Sequence, residues 1–370
     1  MSLTNHLGKK DDPIRLFLDA WLPNYSGLKE QWRILEPIKI DPEYGRWGNL
    51  VGMALDYRIR FFFAEYDATS TVAARDRHIN HELGVPFAAL SRDLRLFCDL
   101  NSPKGRILAP PLEEMLLRYC YVLAMYETNV RMGTFWYDSP LRTLRKGAGT
   151  RAQLNRVGEY DLADLKELTE AAYEAFRPMF GLPVHLNPKF KDSLLVDGAD
   201  ADLIVGRNLI EIKSDRDRFR SARIRQVLAY ALLDSSGVFQ LTECSIYLAR
   251  WGKLLTWNLD ELISQMSNGL QDYEGLRESF HEWLLELQER RVEDRIRREN
   301  ERRRRERLDE LMETVRKELR NVSEEHRLAK ESGIRELIIE TAGRLVQKME
   351  EVQKHETEMR AMLRTSPSME

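Results

Sequence analysis

The sequence lacks the features that mark several large classes of protein. Its three cysteines, Cys98, Cys120 and Cys244, are scattered and suit neither a disulfide framework nor a metal-binding spacing. No apolar run approaches 18 residues, which excludes a transmembrane helix, and the first 13 residues lack the apolar segment of a signal peptide. A net charge of -3 over 370 residues makes no case for a chain that is basic throughout. We therefore expect a cytoplasmic protein with no membrane partner, in which any nucleic-acid binding comes from local patches.

Charge and turn residues divide the chain into zones. Charged residues make up 32% of the sequence, above the usual quarter, so part of it should be a solvated helix. Residues 1–150 are predicted to be mainly helical, residues 151–270 to form an α/β or α+β core, and residues 271–364 to form a long helical hairpin or coiled coil broken near Gly333, with a disordered tail over 365–370. Helical spacing marks Gly48–Tyr66, Phe87–Leu100, Pro111–Val130, Leu162–Phe176, Phe219–Leu233 and Asp260–Met266, and β-like runs occupy Leu194–Val196, Asp202–Val205, Leu209–Lys213 and Glu243–Ala249.

The segment around residues 202–213 is predicted to be a β-hairpin. Gly206-Arg207 fits a two-residue type II′ turn, which places Asp202 opposite Glu211. Because side chains alternate along a strand and opposed residues share a face, Asp202, Glu211 and Lys213 should converge on one face. A loop of three residues would break this convergence, whereas a loop of two or four preserves it. A solvent-facing Glu211–Lys213 pair on an edge strand is the simpler alternative.

Two close carboxylates and an amine suit phosphodiester hydrolysis. The carboxylates repel each other unless a cation neutralises them, and Mg²⁺ is the usual cation held by carboxylates, waters and phosphate oxygens. It activates water and stabilises charge on the phosphate, while a nearby lysine positions that water. Asp200 lies on the same face as Asp202 and is the alternative ligand.

These residues resemble the PD-(D/E)xK, or restriction-endonuclease-like, nuclease superfamily. The match consists of Asp202 and the triplet Glu211-Ile212-Lys213, and the Gln226–Tyr230 spacing is similar to that of the RecB- and Cas4-like branch. Ala201 stands where the superfamily name has proline. The wider resemblance, to a largely uncharacterised bacterial group, covers about residues 46–66 and 160–262 and leaves out the C-terminal helices. It also includes the segments Val51–Tyr57, Asn187–Pro188, Gly198–Asp202 and Ile246–Arg250.

The resemblance implies a mixed sheet flanked by helices, with residues 46–66 packed on the core. It implies that Asp202 and Glu211 hold Mg²⁺ or Mn²⁺, that Lys213 positions the attacking water, and that Gln226 and Tyr230 orient the site or contact substrate. Both could instead be a helix face packed on the sheet. An upstream acid often completes such a site; Asp56 is favoured over Glu170 and Glu174, although Asp56 paired with Arg58 or Arg60 is an equal alternative.

Two basic stretches are candidates for contact with a polyanion. Lys213–Arg225 has a net charge of +4 and contributes Arg216, Arg220 and Arg223 as candidate nucleic-acid contacts. Arg290–Arg307 carries ten arginines and five acids. A solvated helix laced with i,i+4 ion pairs is the default interpretation of Arg290–Arg307, and a strip that follows a nucleic-acid backbone is the sharper one.

The sequence thus predicts a metal-dependent nuclease, with DNA favoured as substrate and bacterial defence or DNA processing as its setting. The C-terminal helices are expected to mediate homo-oligomerisation or to bind a partner protein. The alternatives are a non-catalytic nuclease-fold protein that binds nucleic acid or scaffolds a complex through its coiled coil, and a purely structural helical adaptor.

Overall fold

Helices precede and follow a central sheet. The computed structural model describes residues 3–28, 40, 48–64, 68, 71–74, 80–132, 139–143, 148–216 and 221–364. The first helices are α1 (Leu3–Gly8), α2 (Pro13–Trp21), α3 (Gly48–Phe63), α4 (Asn80–Asn101), α5 (Pro110–Met132), α6 (Thr150–Leu154) and α7 (Glu159–Phe176). The strands are β1 (Val184–Leu186), β2 (Leu203–Val205), β3 (Asn208–Lys213), β4 (Glu243–Leu248) and β5 (Lys253–Asn258). Helix α8 (Ser221–Leu232) joins β3 to β4, and α9 (Leu259–Met266), α10 (Tyr273–Ser332) and α11 (Arg335–Arg364) follow.

The sheet is mixed and its strands lie in sequence order. Strand β3 runs parallel to β4, which is possible because α8 supplies the crossover, while the other neighbouring strands are antiparallel. The sequence therefore predicted the coarse fold correctly: an α+β core with a mixed sheet flanked by helices, followed by long C-terminal helices.

The β2–β3 hairpin has the predicted register. Val205 pairs with Asn208 and Leu203 pairs with Ile210. Gly206 has a φ of +63°, the conformation that the first position of a type II′ turn requires and that glycine adopts without strain.

The two faces of the sheet pack against different helices. Leu203, Val205 and Ile210 join the apolar core built by α3, α5 and α7, in which Phe176 meets Tyr247 with ring centroids 4.9 Å apart. Helix α8 packs against β3 and β4 on the other face, and α1 and α2 pack against α8. The alternation of β3 thus directs its apolar side chains to the large core and its ionisable ones towards α8.

Some local predictions were wrong. Residues 194–196 belong to a 3₁₀ helix, Lys191–Val196, and not to a strand. The Ser193 hydroxyl accepts a hydrogen bond from the Phe190 N–H at 3.1 Å and donates to the Ala199 carbonyl at 2.8 Å, which closes the turn. Strands β1 and β5 were not predicted. The first has three residues, and in the second Leu254 and Leu255 are adjacent, so neither shows a clear alternation.

The chain divides into two units, Met1–Leu284 and Leu285–Glu370. In the second unit α11 turns back along α10 after Gly333, whose φ is +70°. Arg344 pairs with Glu325 at 2.8 Å, and Lys348 pairs with Glu318 at 2.5 Å. These contacts make an antiparallel hairpin, as the sequence predicts. Association of this hairpin with another chain stays a prediction.

Among the helices in the described ranges, none combines the length and the apolar character that a membrane crossing needs.

Candidate active site

The candidate site lies where β3 extends beyond β2. Strand β2 has three residues and β3 has six, so the last residues of β3 have no partner in β2. The side chain of Asp202 fills this place: its Oδ2 accepts a hydrogen bond from the backbone N–H of Ile212 at 2.7 Å. The carboxylate of Asp202 is therefore fixed between the positions of Glu211 and Lys213.

The ionisable face of β3 continues onto α8 through a chain of hydrogen bonds. Lys213 Nζ donates to Glu211 Oε1 at 2.7 Å and to Gln226 Oε1 at 3.0 Å. Gln226 Nε2 in turn donates to the Tyr230 hydroxyl at 3.3 Å. Gln226 and Tyr230 lie one turn apart on α8 and face the sheet together. The structure thus brings together four of the residues that the sequence singled out.

Asp56 lies on α3, beside a cleft that Ile212 and Ser214 line; among the described residues that line this cleft, Glu211 and Lys213, which alternate with them along the chain, are not found. Asp56 lines this cleft, of about 460 Å³, together with Asp202 and Asp200, and it pairs with Arg60 one turn along the helix. The pairing with Arg60 and the position beside Asp202 are both observed, so the two interpretations of Asp56 are not exclusive. Glu170 and Glu174 are exposed on α7, and among the described residues that line the cleft none comes from that helix.

Close packing of α3 on the end of β3 brings Asp56 to the site. A Cβ on Gly52 would lie 3.1 Å from the Cβ of Ser214, the residue after β3, and closer still to its Oγ. Such an approach is available to glycine, and it places Asp56 one turn further along α3 over the same edge of the sheet.

Burial and mutual repulsion shift the pKa values of the acids. Burial, with Asp202 as the largest electrostatic contribution, raises the pKa of Glu211 to about 8, although Lys213 opposes the shift. Burial also raises the pKa of Asp56 to about 7; Arg60 opposes this, and Asp202 and Glu127 add to it. Such shifts occur where like charges are held close together away from water.

The lysine is held in its charged form. Burial acts to lower the pKa of Lys213, but the carboxylates of Glu211 and Asp202 outweigh burial, so the pKa is raised. An ammonium group has three N–H donors, and two of them are used by Glu211 and Gln226. Burial raises the pKa of the Tyr230 hydroxyl, which stays protonated and able to donate.

No family model matches the chain, and neither a curated protein nor a solved structure is significantly similar to it.

Of the three arginines predicted to contact nucleic acid, the structure describes two, and these differ in exposure. Arg216 is exposed just after β3. Arg223 is 3% exposed and pairs with Asp215, so it does not lie on an open surface as predicted for a phosphate contact. Arg220 lies outside the described residues.

Sequence reasoning missed Glu127 and Arg131 on α5. Glu127 is buried and lines the cleft, where it accepts hydrogen bonds from the Tyr57 hydroxyl at 2.5 Å and from Arg131 Nε at 2.7 Å. The one available signal was a glutamate inside the apolar helix Pro111–Val130, because a buried carboxylate needs a partner.

Three carboxylates of the site, those of Glu211, Asp202 and Asp56, are candidates for holding a hard divalent cation. Glu211 Oε2 is buried and has no hydrogen-bond partner in the part of the chain that the structure describes, which leaves this oxygen for a cation while Oε1 remains with Lys213. In the same described part, no group of three or more His, Cys, Asp or Glu side chains is placed so that it could hold a metal ion. Asp202 and Asp56 are the neighbouring carboxylates whose repulsion a cation would relieve.

Proposed function

We propose that the protein is a metal-dependent nuclease that hydrolyses phosphodiester bonds, with DNA as its substrate. The site is the end of β3, with Asp202, Glu211 and Asp56 as ligands of Mg²⁺ or Mn²⁺. The proposal keeps the restriction-endonuclease-like arrangement of the core that the sequence resemblance implies.

The observation that carries the proposal is a cluster of acids beside one charged lysine, in which Glu211 is buried and Asp202 and Asp56 are half-buried. Burial of an acid is unfavourable unless something neutralises it, yet Asp202, Asp56 and Glu211 lie close enough to repel one another. A fold can retain such a cluster when it is stabilised by a cation that binds during function. Bound there, Mg²⁺ would supply a water of lowered pKa and would stabilise charge on the phosphate.

The protein's own residues have distinct parts in the reaction. Lys213 is charged, so it acts as a donor and not as a base. Its third N–H is available for the attacking water or for a phosphate oxygen. Gln226 accepts a second hydrogen bond from the ammonium group, beside the one that Glu211 accepts, and the Tyr230 hydroxyl accepts one from the amide of Gln226. The cleft beside Asp202 provides room for the substrate backbone.

A cleavage assay with matched variants tests the proposal. Wild type, Glu211→Gln and Lys213→Ala would be incubated with Mg²⁺ or Mn²⁺ and labelled single- or double-stranded DNA or RNA. The controls are Glu243→Gln at the exposed start of β4 and Lys253→Ala at the exposed start of β5, which repeat the same chemical changes outside the site.

We expect the two site variants to lose more than about 100-fold in rate, because changes in the residues that merely support metal ligands already cost 10–100-fold. The control variants should retain wild-type rates, and circular dichroism should show that all variants fold. Equal cleavage by all five proteins would reveal a contaminant and contradict the assignment. No cleavage, together with no thermal stabilisation by Mn²⁺, would favour the non-catalytic scaffold.

A further inference from the structure

The basic segment of α10 carries arginines of two kinds. Some pair with acids of the same helix: Arg290 with Glu286 at 4.0 Å, Arg297 with Asp294 at 2.9 Å, and Arg303 with Glu299 at 3.0 Å. These contacts are the ion pairs of a solvated helix. Six others make no ion pair within the described residues: Arg291, Arg295, Arg298, Arg304, Arg305 and Arg307.

Arg304 and Arg307 lie on another face of the helix, and the remaining four, Arg291, Arg295, Arg298 and Arg305, share one face. With Arg302 they follow a 4-3-4-3 spacing, which keeps successive residues on the same side of an α-helix. We call these five residues the arginine stripe. It extends over 15 residues, from Arg291 to Arg305, and the 14 steps of 1.5 Å between them span about 21 Å. Arg302, the one member with ion pairs, contacts Glu299 at 3.0 Å and Glu306 at 3.8 Å.

The composition of this segment distinguishes it from an ordinary charged face. Residues 290–307 contain ten arginines and no lysine. Both residues solvate a helix, but arginine alone presents a planar fork that binds a phosphate through two parallel hydrogen bonds. The exposed apolar residues Val292 and Ile296 fall on another side of the helix, so no apolar side chain interrupts the stripe.

We propose that the arginine stripe binds the sugar-phosphate backbone of nucleic acid without reading its sequence. Each strand of a DNA duplex presents a phosphate about every 3.4 Å along its axis, so a stripe about 21 Å long can meet several phosphates. The stripe belongs to the second unit, outside the candidate active site, and it would hold a polymeric substrate during repeated cleavage. The role in repeated cleavage rests on the proposed nuclease function, whereas the binding of nucleic acid by the stripe does not.

Binding without cleavage provides the test. Fluorescence anisotropy would measure the Kd of the full chain for labelled duplex DNA, single-stranded DNA and RNA, in EDTA, over a series of salt concentrations. The variant Arg295→Gln/Arg298→Gln/Arg305→Gln removes three unpaired arginines of the stripe. The control Arg290→Gln/Arg297→Gln/Arg303→Gln removes the same charge from exposed arginines that are already paired.

The stripe variant should weaken binding about tenfold or more and lower the slope of log K against log salt by about 2.7 for duplex DNA, since each phosphate contact contributes about 0.9. The control should change the Kd by less than about threefold, and both variants should keep the helical circular dichroism of wild type. Equal weakening by the two variants would overturn the stripe in favour of diffuse charge. Wild-type protein that binds anionic lipid vesicles or an acidic peptide and no nucleic acid would overturn it as well.

Failure here and failure of the nuclease assignment give different results. In Glu211→Gln, which loses cleavage, the stripe substitutions should still weaken nucleic-acid binding by the same factor as in wild type. Binding that depends on the stripe, in a protein that never cleaves, would leave the stripe standing and contradict the nuclease. If the stripe variant changes neither cleavage nor the Kd, the stripe is contradicted and the nuclease assignment stands.

Discussion

Asp202 accepts a hydrogen bond from the backbone N–H of Ile212, at 2.7 Å, and is thereby fixed to the strand that carries Glu211 and Lys213. The bond gives Asp202 two separable roles. Its oxygen satisfies a backbone donor that β2 is too short to reach, and its charge adds to the acidic cluster.

Substitution can separate the two roles of Asp202. Asp202→Asn keeps a carbonyl oxygen for the Ile212 N–H but removes the charge, so we expect the fold to persist and cleavage to fall more than about 100-fold. Asp202→Ala also leaves the N–H unpaired, which should lower the free energy of unfolding by about 1–3 kcal/mol. Urea denaturation and the cleavage assay measure the two effects. Equal stability loss in both variants would show that the hydrogen bond is not what stabilises this edge.

The raised acid pKa values predict an unusual pH dependence of stability. In the folded protein the pKa of Glu211 is about 8, against an ordinary 4.5, and that of Asp56 is about 7, against 3.8. Between about pH 4 and pH 8 the folded state therefore binds more protons than the unfolded state, and the free energy of unfolding should fall as the pH rises. Denaturation in urea at pH 5, 6, 7 and 8, in EDTA, measures this fall.

Two controls identify the source of that fall. Glu211→Gln cannot ionise, so its stability should depend less on pH than that of wild type. Saturating Mg²⁺ should have a similar effect on the wild type, because the cation takes the place of the protons, and should stabilise it most at pH 8. Stability that is constant or rises over this range in EDTA would contradict the raised pKa values of Glu211 and Asp56.

The features that the sequence predicted correctly follow from rules that act over a few neighbouring residues. A two-residue turn with glycine first sets the register of Leu203 and Ile210, and alternation then sets the faces of β3. Residues one turn apart on a helix, such as Gln226 and Tyr230, likewise share a face whatever the fold.

The parts that it missed depend on contacts between distant segments. Glu127 reaches the cleft because α5 packs on α3, and no spacing in the sequence links it to Tyr57, its partner 70 residues away. The burial of Arg223 also depends on tertiary packing, because its charge alone suggested an exposed contact. Asp56 was assigned two competing roles, since the sequence could not show that an ion pair and a place in the cleft are compatible.

The hydrogen-bond chain from Lys213 to Tyr230 predicts graded losses of activity. Lys213→Ala removes the charged donor and should slow cleavage most. Gln226→Ala leaves Lys213 without one of its two acceptors and should lower kcat by about 10–100-fold with little change in KM, and Tyr230→Phe, one step further away, should cost less than Gln226→Ala. Steady-state kinetics with a short DNA substrate measures the order.

The variants of the hydrogen-bond chain should also differ from variants of the acids in metal binding. Calorimetric Mn²⁺ binding should be retained in Gln226→Ala and Tyr230→Phe, because neither residue is an acid of the cluster. A larger loss in Tyr230→Phe than in Gln226→Ala would mean that Tyr230 contacts the substrate directly and does not act through the chain.

The close approach of Gly52 to Ser214 predicts the effect of a larger side chain at position 52. A methyl group at this position would meet Ser214, so Gly52→Ala should push α3 away, lower the free energy of unfolding by about 1–3 kcal/mol and weaken Mn²⁺ binding by displacing Asp56. When Ser214 is also replaced by glycine, the side chain that the new methyl group would meet is absent. Gly52→Ala should then lower the free energy of unfolding by less, and a double-mutant cycle measures the difference.

Gly343→Ala in α11 is the matched control: a methyl group there meets nothing within 4 Å, so replacing this helical glycine should stabilise the protein by about 1 kcal/mol or less. If Gly52→Ala were as harmless as Gly343→Ala, the close packing of α3 on β3 would not be what positions Asp56.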